Sequence, residues 1–196
     1  MAGVQPGMPR GATAERVGDV DAAVLAQARA GDHRAFRTLV AHYDRGLRAL
    51  AYRLLGDPGQ MDDVLQEVYV KAYRGMATFR GDASAGTWLY RVTYNACLDQ
   101  LRRSKRADVV PLEGLAERAS PDADPGDRAA MRSSLADALA TLSPEQRAAV
   151  LLVDAEGFDH ATAAHILGVA EGTIHSRLSR AHALLRERLG RKGGER

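Results

Sequence analysis

The stretch FDHATAAHILGVAEGTIHSRLSRAHALLRERL, from Phe158 to Leu189, has the pattern of two helices joined by a tight turn. Asp159 can cap the first helix, because its carboxylate can accept hydrogen bonds from the free N–H groups of the first turn. Gly168 stands where the chain must turn, and glycine takes a positive φ at little cost. Apolar residues of the second helix recur at i, i+4, i+7 and i+11 and predict one buried stripe, made of Ile174, Leu178, Ala181 and Leu185. This pattern is typical of a helix-turn-helix.

The polar side of the second helix carries small and cationic side chains, which suit the DNA major groove. His175, Ser176, Ser179 and Arg180 lie off the stripe, and Arg177 flanks it. An ordinary αα-hairpin with a solvated basic face is the alternative. Residues 137–171 carry one basic side chain against six acids, a net −5, whereas residues 172–196 carry seven against two, a net +5. A basic end on a chain of net charge +2 favours contact with phosphates.

The bulk composition indicates a soluble, mainly helical protein of 196 residues with 45% hydrophobic and 5% aromatic residues. No apolar run is long enough to span a bilayer, and the first residues lack the apolar core of a signal peptide. The single cysteine, Cys97, excludes an internal disulfide and a Cys-rich zinc site. We therefore expect a cytoplasmic protein.

Helical periodicity predicts an N-terminal bundle of four helices, each with one apolar face. The first predicted helix begins at Asp19 or Asp21 and ends at Gly31, and the second begins at Asp32 and ends at Gly56. The third spans about 61–76 and the fourth about 87–106. Prolines, glycines and acids break the pattern in residues 107–127, which predicts a flexible acidic linker. After it, Ser143, Pro144 and Gln146 form the signature of another helix start.

The predicted fold is therefore all-α, with an N-terminal helical bundle tethered by the linker to a C-terminal helical domain that holds the helix-turn-helix. The predicted ranges are a disordered arm at 1–18, the bundle at 19–106, the linker at 107–127, the C-terminal domain at 128–190 and a basic tail at 191–196.

Two segments, in this order and spacing, resemble the extracytoplasmic-function (ECF) group of bacterial RNA polymerase sigma factors. The segment QMDDVLQEVYVKAYRGMATFRGDASAGTWLYRVTYNACLDQLRR, from Gln60 to Arg103, resembles the sigma-2 domain. The segment LSPEQRAAVLLVDAEGFDHATAAHILGVAEGTIHSRLSRAHALLRERL, from Leu142 to Leu189, resembles the sigma-4 domain. The resemblance implies a protein that binds core RNA polymerase and directs initiation at promoters by recognising their −35 and −10 elements.

The resemblance also implies site residues. A polar strip on the third helix would bind core polymerase, and it comprises Asp62, Asp63, Gln66 and Glu67. The loop at 80–86 and the fourth helix would hold the −10 element through Arg80, Ser84, Arg91, Asn95, Arg102, Arg103 and Arg106. The second helix of the helix-turn-helix would read the −35 element through Thr173, His175, Ser176, Arg177, Ser179 and Arg180. Without the resemblance, a solvated helix face is an equally good interpretation of the polar strip. Asp99 lies on the −10 face and is expected to orient Arg102 or Arg103.

The residues show no catalytic site, metal site or cofactor site, and no small-molecule substrate is implied. The six histidines have no ligand spacing along the chain. Cys97 is expected to be a buried small hydrophobe rather than a redox switch. Trp88 is expected to belong to the core rather than to stack on a base.

The implied partners are core RNA polymerase, promoter DNA and an anti-sigma factor, which in this family is often membrane-bound. Two other functions remain open at this point. A DNA-binding repressor or activator that acts without polymerase would explain the C-terminal half alone. A protein-interaction adaptor would leave the exposed face from His175 to Arg180 without a role.

Overall fold

The computed structural model describes residues 20–107 and 135–193, with side chains described for 20–104 and 135–190. Every regular element in these ranges is helical, which confirms the predicted all-α class. The N-terminal elements are α1 (Ala22–Arg29), α2 (His33–Leu55), α3 (Pro58–Met76) and α4 (Ala85–Ala107). The C-terminal elements are α5 (135–140), α6 (Pro144–Val150), a π-helical turn (Leu151–Ala155), α7 (His160–Leu167) and α8 (Glu171–Gly193).

Side-chain caps set most helix starts where the sequence predicts them. Asp21 and Asp32 cap α1 and α2 by accepting hydrogen bonds from backbone N–H groups of the first turn. Ser143 and Gln146 form the reciprocal capping box of α6. The predicted start of α3, at about 61, is too late. The helix begins at Pro58, and the Asp57 carboxylate caps it by accepting a hydrogen bond from the Gln60 N–H.

The predicted linker and arm fall almost entirely outside the described residues. Residues 1–18 lie outside them, and of the range 107–127 only Ala107 is described, as the last residue of α4. At the other end, α8 continues to Gly193, inside the range 191–196 that the sequence predicts to be a tail. The domain boundaries themselves stay a prediction.

The four N-terminal helices pack with α2 at the centre, in contact with α1, α3 and α4. The buried side chains of α2 are the apolar residues that recur at helical spacing, among them Leu39, Leu47 and Leu54. Each of these three is at most 2% exposed, so this helix supplies the middle of the bundle.

The C-terminal helices continue the same core. α6 and α7 both pack on α8, and α7 also packs on α4 of the N-terminal bundle. One connected cluster of buried residues therefore runs from α1 to α8. Among the described residues, no helix combines the length and the apolar character needed to cross a membrane.

Candidate nucleic-acid interface

The helix-turn-helix has the local geometry that its sequence predicts. The Asp159 carboxylate accepts a hydrogen bond from the Thr162 N–H at 2.7 Å, and this bond lowers the pKa of Asp159. α7 ends at Gly168, whose φ of 66° is in the left-handed region. Of the predicted stripe, Ile174, Leu178 and Ala181 are buried, and Leu185 is half-buried. The opposite side of α8 therefore faces solvent.

The six residues predicted to read the −35 element do not all share one environment. His175, Ser176, Ser179 and Arg180 are exposed, whereas Thr173 and Arg177 are half-buried. The Ser176 hydroxyl donates to the Thr173 carbonyl at 2.9 Å, so it is held close to the helix backbone. The exposed four form a continuous polar surface on the first turns of α8.

Arg177 points toward the N-terminal bundle. It lies close enough to Tyr94 of α4 to oppose the rise in the Tyr94 pKa that burial causes. Its Nη1 atom is buried and has no hydrogen-bond partner among the described residues. In this arrangement Arg177 is an interhelical contact as well as a candidate for binding DNA.

The residues predicted to hold the −10 element lie on the loop before α4 and on one exposed side of α4. Arg80, Arg91, Asn95, Arg102 and Arg103 are exposed, and Ser84 is half-buried. Arg106 is in α4, but its side chain lies outside the described set.

Three of these predicted contact residues already have partners within the chain, and one of them is Arg103, which lies 3.8 Å from Glu67. The Ser84 hydroxyl accepts a bond from the Thr87 N–H at 3.0 Å and so caps α4. Arg102 pairs with Asp99 at 3.0 Å, as expected of an acid that orients an arginine on this face. The Ser84 cap fixes the start of α4, whereas the Arg102–Asp99 pair is solvent-exposed and can exchange for contacts with a partner.

The polar strip predicted to bind polymerase is exposed along α3, and intramolecular pairs occupy part of it. Asp62 accepts a bond from Arg48 at 2.8 Å, and this bond raises the pKa of the arginine. Glu67 lies 3.5 Å from Lys71 and 3.8 Å from Arg103. Because these ion pairs are solvent-exposed, they contribute little to the stability of the fold and can exchange for contacts with a partner.

Tyr90 of α4 forms the central contact between the two halves of the chain. Its hydroxyl donates to Glu156 Oε2 at 2.8 Å, and its ring meets Phe158 edge-on with centroids 4.9 Å apart. Burial, with the neighbouring Glu156 charge, raises the pKa of Tyr90, so the hydroxyl remains a donor. Gly46 of α2 makes room for the pair, because a Cβ there would lie 1.9 Å from the tyrosine oxygen.

The loop before α4 also faces the helix-turn-helix. A cleft of about 490 Å³ separates them, with Asp82 and Ser84 on one side and Phe158, Thr162 and His165 on the other. The predicted −10 loop is thus open to solvent on one side and bounded by α7 on the other. Sequence periodicity gave no indication of this contact.

Arg147 joins the ends of two helices from different halves. Its guanidinium donates to the carbonyls of Arg53 and Leu54 at the end of α2, at 3.0 and 3.4 Å. It also donates to three carbonyls at the end of α5, at 2.8, 3.0 and 3.1 Å, which belong to Leu139, Ala140 and Leu142. Burial lowers the pKa of this group, and the carbonyl oxygens replace the lost water.

Cys97 is a core residue, as expected, whereas Trp88 is only partly buried and packs against the core. Cys97 is fully buried, and burial raises the pKa of its thiol to about 12. Trp88 is half-buried, with its ring centroid 5.3 Å from that of Phe79. Neither side chain lies on the exposed face of α4.

One group of side chains with metal-ligand chemistry was missed by the sequence reasoning. His160, at the start of α7, lies together with Glu171 and His175, in the first turns of α8. The two histidines are in different helices, so spacing along one helix could not identify them.

Comparison with known proteins places both halves in one family. The family description Sigma-70 region 2 matches residues 39–107, and Sigma-70, region 4 matches residues 132–185. The chain is 42% identical over 170 residues to the ECF RNA polymerase sigma factor SigM of Mycobacterium tuberculosis, covering 87% of this chain and 85% of that protein. It is 30% identical over 173 residues to the ECF RNA polymerase sigma-E factor of Escherichia coli, covering 82% and 90% respectively.

Two solved structures share the fold. The sigma factor RpoE of Bartonella quintana, in complex with the anti-sigma factor NepR, has a TM-score of 0.64 and 30% identity, and the match covers 82% of this chain and 98% of that one. CnrH, in complex with the cytosolic domain of CnrY, has a TM-score of 0.65 and 26% identity over 86% and 96% of the two chains.

Proposed function

This chain belongs to the ECF group of RNA polymerase sigma factors, and we propose that its two halves contact separate elements of the promoter. As a sigma factor it binds core RNA polymerase and promoter DNA and directs promoter-specific transcription initiation. The polymerase supplies the chemistry of nucleotide addition, so we assign no catalytic role to this chain. We assign it to the cytoplasm, where core polymerase and promoter DNA are found.

The observation that carries the proposal is the exposed polar face of α8. His175, Ser176, Ser179 and Arg180 are exposed on a helix whose other side is fixed against α6 and α7. A rigid second helix with exposed polar side chains on its first turns is what major-groove recognition requires. We propose that this face reads the −35 element as duplex DNA.

The N-terminal half carries the other two contacts. Arg91 and Asn95 are exposed one turn apart on α4 and follow the loop that holds Arg80. Arginines suit phosphates, and an asparagine amide can read a base edge, so this side is suited to the −10 strand. We assign core-polymerase binding to the exposed polar strip on α3, which includes Asp63 and Glu67.

Engagement of both promoter elements requires a change in the arrangement described above. α7 bounds one side of the −10 loop, and Arg177 lies against Tyr94. We propose that α7 moves away from α4 when the sigma factor joins polymerase and DNA. Two linked contacts can then each be weak, because the first raises the effective concentration of the second.

An anti-sigma factor is the third proposed partner. The support is that the RpoE and CnrH structures are complexes, with NepR and with the cytosolic domain of CnrY respectively. Co-purification with a candidate anti-sigma factor, followed by loss of run-off transcription when it is added, tests this assignment.

Promoter-library selection in the polymerase holoenzyme tests the −35 assignment. Arg180→Ala should change which −35 bases are tolerated, because a base-reading arginine contributes about 1–3 kcal/mol of discrimination. Arg188→Ala is the matched control on the same helix. It should lower affinity evenly across sequences and reduce the salt slope by about one. If Arg180→Ala keeps the wild-type base preferences, the base-reading role is wrong.

Run-off transcription separates a sigma factor from a regulator that acts without polymerase. Added to core enzyme, the chain should produce transcripts from a subset of promoter fragments, whereas core enzyme alone should not. Reversing the charge of Asp63 and Glu67 together should weaken core binding by at least about tenfold, or ~1.4 kcal/mol. A second variant that combines Asp63→Asn and Glu67→Gln removes both charges without reversing them. It therefore separates the effect of charge reversal from that of charge loss. Unchanged core binding in both pairs would remove the strip from the interface.

A further inference from the structure

Three side chains from the two helices of the helix-turn-helix bring their ligand atoms together. One ring nitrogen of His160, one of His175 and one carboxylate oxygen of Glu171 all lie within 4.8 Å of one another. The two imidazole rings meet edge-on with centroids 4.2 Å apart. We propose that His160, Glu171 and His175 form a binding site for a divalent transition metal ion.

The chemistry of the three groups favours zinc or a neighbouring late transition metal. Imidazole nitrogen suits Zn²⁺, Cu²⁺ and Ni²⁺, and two histidines with one carboxylate are an established zinc ligand set. Three protein ligands leave one position of a tetrahedral ion open to water or to another oxygen ligand. The set carries one negative charge with both imidazoles neutral, so a bound Zn²⁺ leaves a net charge of +1.

The distances fit a site that closes slightly when the ion enters. Zinc–ligand bonds of about 2.0–2.1 Å place tetrahedral ligand atoms about 3.3 Å apart. The present spread of up to 4.8 Å therefore has to shrink by roughly 1.5 Å. Glu171 and His175 have side chains that are 56% and 58% exposed, so both can rotate without disturbing the core.

The backbone that carries the ligands is well fixed. His160 is the first residue of α7, directly after the Asp159 cap, and α7 joins α8 through the left-handed Gly168. Glu171 and His175 are one turn apart on the same side of α8, with His175 Nε2 4.0 Å from the carboxylate. Only side-chain rotation is needed, because the turn already holds the two helix starts together.

The site includes one residue of the face proposed to read the −35 element. A metal on His175 takes up a ring nitrogen that could otherwise contact a base, and it places a cation beside the DNA-facing end of α8. This consequence rests on the proposed function. Metal binding itself rests only on the three side chains, and it is measured without DNA.

The test is a titration of the full chain with Zn²⁺ in competition with a chromophoric chelator. We expect one equivalent to bind. His160→Ala and His175→Ala should each weaken binding by at least about tenfold, because even second-sphere changes cost 10–100-fold in metal affinity. His165→Ala is the matched control, since His165 is an exposed histidine of the same helix α7.

Co²⁺ provides a second readout that does not depend on affinity. Tetrahedral coordination by nitrogen and oxygen should give visible d–d absorption in the wild type and in His165→Ala, and Glu171→Gln should reduce or shift it. Helical circular dichroism checks that each variant is folded. The proposal is overturned if no Zn²⁺ binds at 100-fold excess over protein, or if His160→Ala and His175→Ala bind it as tightly as His165→Ala does.

Discussion

Replacing Arg147 with Met tests whether one guanidinium stabilises the ends of two helices at once. The substitution keeps much of the aliphatic stem and removes every hydrogen bond to the five carbonyls, which lie at 2.8–3.4 Å. A cation at a partly buried helix C-terminus contributes up to about 2 kcal/mol. Two helix ends therefore give an expected loss of about 2–4 kcal/mol.

The assay is thermal and chemical unfolding followed by circular dichroism. For a chain of this length each kcal/mol shifts Tm by about 2–4 °C, so the expected decrease is about 4–16 °C. Arg147→Lys should lose less, because an ammonium can still donate to some of the carbonyls.

Arg186→Met is the matched control. The Arg186 side chain donates to one carbonyl, that of His182 in its own helix, and Arg186 is exposed. Its loss should stay within about 0.5 kcal/mol. If Arg147→Met also falls within about 1 kcal/mol of the wild type, the carbonyl contacts do not stabilise the junction of α2 and α5.

Three further outcomes are expected. Gly46→Ala should destabilise the chain by about 1–3 kcal/mol in urea unfolding, because its Cβ would lie 1.9 Å from the Tyr90 oxygen. Gly190→Ala is the control and should be neutral or stabilising, because nothing lies within 4 Å of a Cβ there. Equal effects of the two substitutions would contradict the close approach at Gly46. Cys97 should react slowly with iodoacetamide at pH 8 in the native chain and rapidly in urea. The reason is that burial raises the pKa of the thiol from 9.0 to about 12 and lowers the thiolate population about a thousandfold. Fast alkylation of the native chain would show that the thiol is accessible. Limited proteolysis should cut first within 107–127 and leave two helical fragments, and first cuts inside α2 or α4 would argue against a linker there.

Local sequence rules predicted most of the helices. Asp32, Ser143 and Asp159 are caps in the structure as their residue types predict, and the glycine at 168 ends α7 with positive φ. These features depend on neighbours within four residues, so the sequence displays them directly. The start predicted for α3 was late because it rested on apolar periodicity alone, whereas the helix begins at the Asp57 cap and Pro58.

Contacts between distant segments could not be predicted in the same way. Tyr90 and Glu156 are far apart in the chain, and nothing in either helical pattern pairs them. The pairing of His160 with His175 depends on the angle between α7 and α8, which periodicity does not encode. For the same reason Arg177 looked like a residue of the DNA-binding face, although it also lies against Tyr94.

If α7 leaves α4 when the promoter is engaged, as we propose, the packing of α7 on α4 also sets how strongly this sigma factor engages a promoter. If only a small fraction of chains has the two helices separated, the apparent dissociation constant of the promoter complex rises in inverse proportion to that fraction. A change of about 1.4 kcal/mol at the Tyr90–Glu156 contact would alter that fraction tenfold while separated chains are rare. Because the Tyr90 ring is buried between the two halves, substitutions in this contact can therefore change transcription from all of its promoters together and leave their ranking intact.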